Sequence, residues 1–257
     1  MNSSPFLALT GVAKSFGSRP VLGGIDLSIP AGTFLALVGP SGSGKTTLLK
    51  AINRLVEVDS GSILIDGDDV RQGSPAELRR RIGYVIQGVG LFPHMTVAEN
   101  IAIVPRLLGA SPAEQAARSI ELLRLVGLPD DYAVRSPRSL SGGQAQRIGV
   151  ARALAARPPL MLMDEPFGAL DPLTRDELGA AYRALHESLG LTTVMVTHDM
   201  TEALLLADRI VVLIDGSLRA DAKPGELIHG YPDPGVDALV RVPRRQAERL
   251  AALERGA

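Results

Sequence analysis

Residues 32–55 set an apolar run, a glycine-rich loop and a helical pattern end to end, and this order limits the fold more than any other stretch. After Gly32, Thr33 to Val38 reads as a buried strand. Gly39-Pro40-Ser41-Gly42-Ser43-Gly44-Lys45-Thr46 follows without a break, and Lys45 to Leu55 continues as a helix. The glycines let successive backbone N–H groups turn toward a phosphate, where the helix N-terminus adds positive potential. Lys45 has the reach for the β and γ phosphates, and the Thr46 hydroxyl is a candidate Mg²⁺ ligand. An ordinary glycine-rich turn with a chance lysine is the competing reading. The strand before it and the helix after it argue against that.

Elsewhere apolar runs alternate with helical patterns, which predicts a mainly parallel α/β sheet. Short buried strands are expected at Ile82 to Ile86, Leu160 to Met163, Thr192 to Val196 and Ile210 to Ile214. The start differs. Ile25, Leu27 and Ile29 alternate with polar or small residues, as in a half-exposed antiparallel strand, and a strand at Ile63 to Ile65 leads into an Asp66-Gly67-Asp68 turn. Val97 to Gly127 reads as a helical insert that Pro105 kinks or divides, with Ser111-Pro112 restarting the helix. The expected division is a domain over 1–240, its helical part at about 88–157, and a short tail over 241–257 with a final helix near Arg244 to Glu254.

A length of 257 residues, 46% of them hydrophobic, supports one substantial core. No apolar run approaches the roughly 18 residues needed to cross a bilayer, and Asp208 and Arg209 interrupt the best stretch. The opening Met-Asn-Ser-Ser-Pro-Phe lacks the basic start and apolar run of a signal peptide. The absence of cysteine excludes disulfides and thiolate metal sites and suits a reducing cytosol. A net charge of -1 gives no electrostatic footprint for nucleic acid. The expectation is a soluble chain whose membrane role comes through a partner.

Two further segments carry chemistry. The strand Leu160 to Met163 stops on Asp164-Glu165, which puts both acids at the carboxyl end of the sheet, where α/β folds bind ligands. Asp164 is a candidate for the Mg²⁺ hydration shell and Glu165 for orienting or deprotonating a water. Alone, the pair would read as acids at a strand exit. The second segment is Leu140-Ser141-Gly142-Gly143-Gln144, followed by a helix through Ala155. Ser141 and Gln144 have capping-box spacing, but two glycines in a first turn each cost about 1 kcal/mol against alanine. Close approach of an anion to the backbone would account for them, giving a second phosphate site in a protein that should need one.

These motifs together resemble the ATP-binding subunits of ABC transporters over about Phe6 to Ile228. The resemblance implies a P-loop NTPase of ABC type, with a mainly parallel core sheet, an N-terminal antiparallel β subdomain and a helical subdomain. It implies a head-to-tail homodimer holding ATP and Mg²⁺ at its interface, with Ser141, Gly142, Gly143 and Gln144 acting on the partner's nucleotide. Gly39 to Thr46 and the adjoining Thr47 become nucleotide-binding residues. Phe16 matches the aromatic position that stacks on adenine, against a plain core phenylalanine. Gln87 matches the glutamine that contacts Mg²⁺ and senses the membrane partner. Asp171 matches the loop that crosses the dimer interface, though an acid before Pro172 is also a natural N-cap. His198 matches the switch histidine on the γ-phosphate, beside Asp199 and Glu202, which offer a capping explanation. His94, His186 and His229 are read as surface or packing residues.

The implied mechanism is phosphoryl transfer to water, with Glu165, His198 and Lys45 as catalytic residues. Ile52 to Glu57, Gly83 to Gln87, Gly90 to Thr96 and Met163 to Arg175 resemble the bacterial import ATPases for glycine betaine, choline and carnitine. That implies permease subunits in the membrane, a periplasmic or lipid-anchored solute-binding protein, and a peripheral position on the cytoplasmic face of the cell membrane. Leu91, Phe92 and Pro93 lie where such subunits receive a permease helix, with a buried local cluster as the alternative. The chain stops at Ala257, so regulation by a CBS-domain pair is not expected. Importers of amino acids or other solutes share much of this wording. An exporter subunit and a non-transport ABC ATPase are the more distant alternatives.

Overall fold

Alternating burial at the start of the chain builds an antiparallel sheet. The computed structural model describes residues 4–168 and 170–255. Residues 1–3, Ala169 within the Gly168–Asp171 stretch, and the last two residues of the expected tail lie outside them. Strand β1 (Leu7–Phe16) pairs with β2 (Arg19–Ile29), where Ile25, Leu27 and Ile29 point inward. Strand β3 (Phe34–Val38) is buried along its whole length and feeds α1 (Lys45–Ile52). That helix stops three residues earlier than the pattern predicts, because Arg54 turns left-handed at φ 51°. Strand β4 (Ser60–Ile65) returns to β1, and Asp66-Gly67 turns it onto the two-residue β5 (Asp68–Asp69). The first sheet is ordered β2-β1-β4-β5.

Helix α2 (Pro75–Arg80), capped by Ser74, leads into β6 (Ile82–Val85). The expected helical insert forms α3 (Val97–Ile101), α4 (Ile103–Leu107) and α5 (Pro112–Leu125). Pro105 divides it as expected, but the break falls at Ala102. A proline ring clashes with the carbonyl four residues back, here that of Ile101. Ser111 caps α5 with a reciprocal Glu114 box. After α6 (Gly142–Leu154) come β7 (Leu160–Asp164), α7 (Pro172–Leu189), β8 (Thr192–Val196), α8 (Met200–Leu206) and β9 (Arg209–Ile214).

The second sheet is ordered β10-β9-β3-β8-β7-β6, parallel except for its edge strand β10 (Ser217–Ala222). Its period of two divides the core. Phe34, Ala36, Met161, Met163 and Met195 pack against the helices of one face; Leu35, Leu37, Leu160, Leu162 and Val194 pack against α1 and the antiparallel sheet on the other. Such a doubly covered sheet leaves its strand ends as the accessible place for chemistry.

Beyond α9 (Pro224–Ile228), the final helix corrects the sequence reading. It runs as α10 (Pro234–Arg255), ten residues earlier than expected, and passes through the 240/241 division. Val236 and Val240 are fully buried, so its first half belongs to the core. After Pro243 it carries exposed Arg245, Arg249 and Leu250.

Candidate functional site

The glycine-rich loop leaves β3 through a gap that admits no side chain. At Gly39 φ is 151°, and a β-carbon would lie 2.0 Å from the Leu213 carbonyl oxygen. The exposed tip, Pro40 to Gly42, returns through buried Ser43 and Gly44 into α1. Gly44 is the N-cap of α1 with no side-chain cap, and the first turn carries no acid, so its N–H groups remain open to an anion. Lys45 is 7% exposed. Its Nζ donates to the carbonyls of Gly39 at 2.7 Å and Pro40 at 2.8 Å. Burial holds this amine below the usual lysine range, against the opposing pull of Glu165 and Asp164.

Asp164 ends β7 and is 3% exposed. The Thr46 hydroxyl donates to its Oδ1 at 3.0 Å, joining the first turn of α1 to the neighbouring strand end. Burial pushes this carboxyl above its usual range, while the Thr46 bond, Lys50 and Lys45 oppose that rise. The backbone then turns left-handed at Glu165, φ 47°, where its N–H donates to the Val196 carbonyl at 2.9 Å. That turn swings the side chain out of the strand. One carboxylate oxygen, Oε2, accepts from Gln87 Nε2 at 3.1 Å, and the other, Oε1, lies 3.3 Å from His198 Nδ1. Three loops, after β6, β7 and β8, thus converge on one carboxylate. Asp199, next to His198, caps α8 through bonds from the Thr201 and Glu202 N–H groups.

The remaining predicted residues stand elsewhere. Ser141 caps α6 with the reciprocal Gln144 box that their spacing allows, and Gln144 Nε2 also donates to the Tyr132 hydroxyl. Gly143 has a packing reason the sequence did not reveal: a β-carbon there would lie 2.6 Å from Thr174 Cγ2 of α7. Gly142 has open space around its α-carbon. Asp171 caps α7 by accepting from the Thr174 N–H, and this bond holds its carboxyl below the usual range. Ser141 to Gln144, Arg147, Asp171 and Thr174 line one cleft of ≈ 480 Å³, whose lining includes none of residues 39–47. Phe16 is 53% exposed at the end of β1, with Lys14 Nζ 5.5 Å from its ring centre, which removes the core-packing alternative.

His186 is a packing residue as expected, buried on Phe34 with Nδ1 3.0 Å from Thr193 Oγ1. Arg152 near the end of α6 escaped the sequence reading, although it is the lone charge in Ile148-Gly-Val-Ala-Arg-Ala-Leu-Ala. It donates to the carbonyls of Val89 and Gly90, just after Gln87.

Comparisons with known proteins identify the family of this fold. The ABC transporter family profile matches residues 22–168, from β2 past Asp164 and Glu165 at the end of β7. The glycine betaine/carnitine/choline transport ATP-binding protein OpuCA of Bacillus subtilis is 51% identical over 91% of this chain and 62% of its own length. The chain thus spans less than two thirds of that relative. The glycine betaine uptake system ATP-binding protein YehX of Escherichia coli is 51% identical over 83% of this chain and 69% of its own. Among solved structures, a dimeric post-hydrolysis state of the ATP-binding cassette MJ0796 bound to ADP and Pi aligns with a TM-score of 0.77 at 35% identity, covering 85% of this chain and 98% of that one. The profile spans the glycine-rich loop and the acidic strand end, and with the identity of the relatives and the cassette fold it shows that the chain belongs to the ABC transporter family.

Proposed function

We propose that the chain is the ATP-hydrolysing subunit of an importer for quaternary-amine osmoprotectants. The observation that carries the enzymatic part is the convergence of Gln87 and His198 on the two oxygens of Glu165, beside the Thr46–Asp164 pair. Gly39 to Thr47 bind the phosphates, with Lys45 leaving the loop carbonyls to meet the β and γ oxygens, and Phe16 offers an exposed ring to the adenine. Glu165 accepts a proton from the water whose oxygen attacks the γ-phosphorus as the bond to the β–γ bridging oxygen breaks. Gln87 and His198 hold that carboxylate in place, and His198, 59% exposed, is free to meet the γ-phosphate as well.

The oxygen donors here fit Mg²⁺: a buried carboxylate, a hydroxyl and the amide of Gln87. Among the described residues no cluster of three or more His, Cys, Asp or Glu forms a cage, which suits an ion held largely by substrate phosphates and water. When bound, that ion supplies charge neutralisation on the phosphates. Thr46 and Asp164 would hold it, with Gln87 alongside.

The open backbone at Gly142 and the separate cleft around Ser141, Gly143, Gln144 and Asp171 support their action on a partner subunit's nucleotide, in a head-to-tail dimer. ATP bridging two subunits would favour the closed dimer, and hydrolysis would remove those contacts. No helix among the described residues is long and apolar enough to cross a membrane, so the route to solute uptake would run through permease subunits. Phe92, 43% exposed behind Gln87, offers an apolar contact for a permease helix at the cytoplasmic face of the membrane. A periplasmic or lipid-anchored binding protein would deliver the solute, and the names of the relatives support a quaternary amine.

The test is uptake of labelled glycine betaine and choline at high osmolarity by cells carrying Glu165→Gln, with other betaine transporters deleted and the permease expressed normally. The purified variant is expected to bind ATP, to lose turnover and to accumulate as a dimer. Loss of uptake supports the osmoprotectant assignment. Unchanged uptake removes it, and continued hydrolysis by the purified variant removes the role given to Glu165.

A further inference from the structure

We infer that Arg152 is a positioning residue for Gln87, and that through it the contact between Gln87 and Glu165 depends on the placement of the helix that starts at Ser141. This rests on the catalytic reading of Glu165 given above.

Behind Gln87 the backbone runs left-handed at three consecutive residues, with φ values of 78° at Gly88, 63° at Val89 and 55° at Gly90. Glycine enters that region freely, whereas a β-branched valine rarely does, so something outside the segment must hold it there. The local bonds are a Val89 N–H to the Ile86 carbonyl at 3.3 Å and a Gly90 N–H to the Gly88 carbonyl at 2.7 Å. The outside support comes from α6. Arg152 Nη1 donates to the Gly90 carbonyl and Nη2 to the Val89 carbonyl, both at 2.7 Å. One turn earlier Gly149 makes room for the Val89 side chain: a β-carbon there would lie 3.2 Å from Val89 Cγ1.

The guanidinium therefore holds two successive carbonyls through two N–H groups fixed in one rigid plane, a spacing that a flexible ammonium does not impose. Both bonds are at the segment that sets where Gln87 Nε2 meets Glu165. Ser141 stands at the other end of the same helix, eleven residues or about 16 Å away along the axis. A rigid displacement of α6, such as engagement of its N-terminus would produce, moves the Arg152 fork and with it the two carbonyls. Gln87 must follow.

The experiment is a double-mutant cycle on ATP turnover by the purified chain, with Arg152→Lys combined with Gln87→Ala, and Glu165→Gln measured alongside. Lysine keeps the buried stem and the charge but not the fork. Should that variant fail to fold, Arg152→Gln, neutral, shorter and without the fork, carries the cycle. Arg152→Lys is expected to lower kcat about tenfold, with the KM for ATP changed by less than about twofold, since the phosphate loop is untouched. With Gln87→Ala already present, the same substitution is expected to cost less than about twofold more. If the two losses multiply in full, Arg152 acts independently of Gln87 and the inference falls. If kcat per folded molecule is unchanged and only thermal stability drops, its role is structural and the inference also falls. Retained hydrolysis in Glu165→Gln would instead sink the proposed function, so the two failures read differently.

Discussion

The Thr46 hydroxyl donates to Oδ1 of Asp164 at 3.0 Å, across 118 residues of sequence, and fastens the phosphate loop to the acidic strand end. Burial raises the folded-state pKa of this carboxyl above the reference value of 3.8. A raised carboxyl pKa means that the folded chain binds the proton more tightly, so its contribution to stability is present at low pH. That contribution is lost as pH rises from the unfolded value through the folded one. Asp164→Asn keeps an acceptor for Thr46 and removes the buried charge. It is expected to raise the melting temperature of the nucleotide-free chain at neutral pH, with the gain shrinking on acidification. Under the proposed function ATP turnover should fall at least about a hundredfold, since the charge-bearing oxygen assigned there to Mg²⁺ is gone. Thermal melts at several pH values and phosphate release check the two halves.

Gly39 and Gly42 both have positive φ but different surroundings. Gly39→Ala forces a β-carbon against the Leu213 carbonyl oxygen and is expected to destabilise the fold by at least about 3 kcal/mol. Gly42→Ala meets no atom within 4 Å and bears only the conformational penalty of about 1–2 kcal/mol. Urea unfolding of the two variants measures the difference.

His198 lies against Glu165 from the end of β8 with most of its ring exposed. His198→Ala is expected to leave stability within about 0.5 kcal/mol, as at other exposed positions. Turnover should drop about a hundredfold while ATP affinity changes little, because Lys45 and the loop remain. Single-turnover kinetics beside equilibrium nucleotide binding separates the two effects.

Phe16 presents an exposed ring and contributes little to the core. Phe16→Ala should weaken ATP binding by about tenfold through lost stacking of about 1–1.5 kcal/mol, with kcat unchanged at saturation. Phe16→Tyr should restore it. Titration calorimetry with ATP reads the outcome.

Much of the fold was legible because its signals are local. The apolar runs of β3, β7 and β8, the glycine-rich loop and the Ser111-Pro112 restart each follow from neighbours in sequence, and each forms where expected within a few residues. The start of α10 was missed because Pro243 stands inside the helix and masks its continuity; packing of Val236 and Val240 overrides that break. Edge strand β10, with polar residues alternating in Ser-Leu-Arg-Ala-Asp-Ala, has too weak an apolar pattern to declare itself.

The sequence by itself determined which groups the protein owns for phosphate chemistry: a glycine-rich loop with Lys45 and Thr46, two acids at a strand end, and a capped helix with paired glycines. Only the tertiary structure decided which of them meet. Parallel strands β6, β7 and β8 end side by side, so residues 87, 165 and 198 converge on a single carboxylate although long stretches of chain separate them. It also separated the reasons for Gly142 and Gly143 and revealed the fork of Arg152 behind Gln87. The physical reason is that spacing along a chain fixes local hydrogen bonds and turns, whereas the order of strands in a sheet is set by burial of both its faces. Distances between functional atoms follow from that burial.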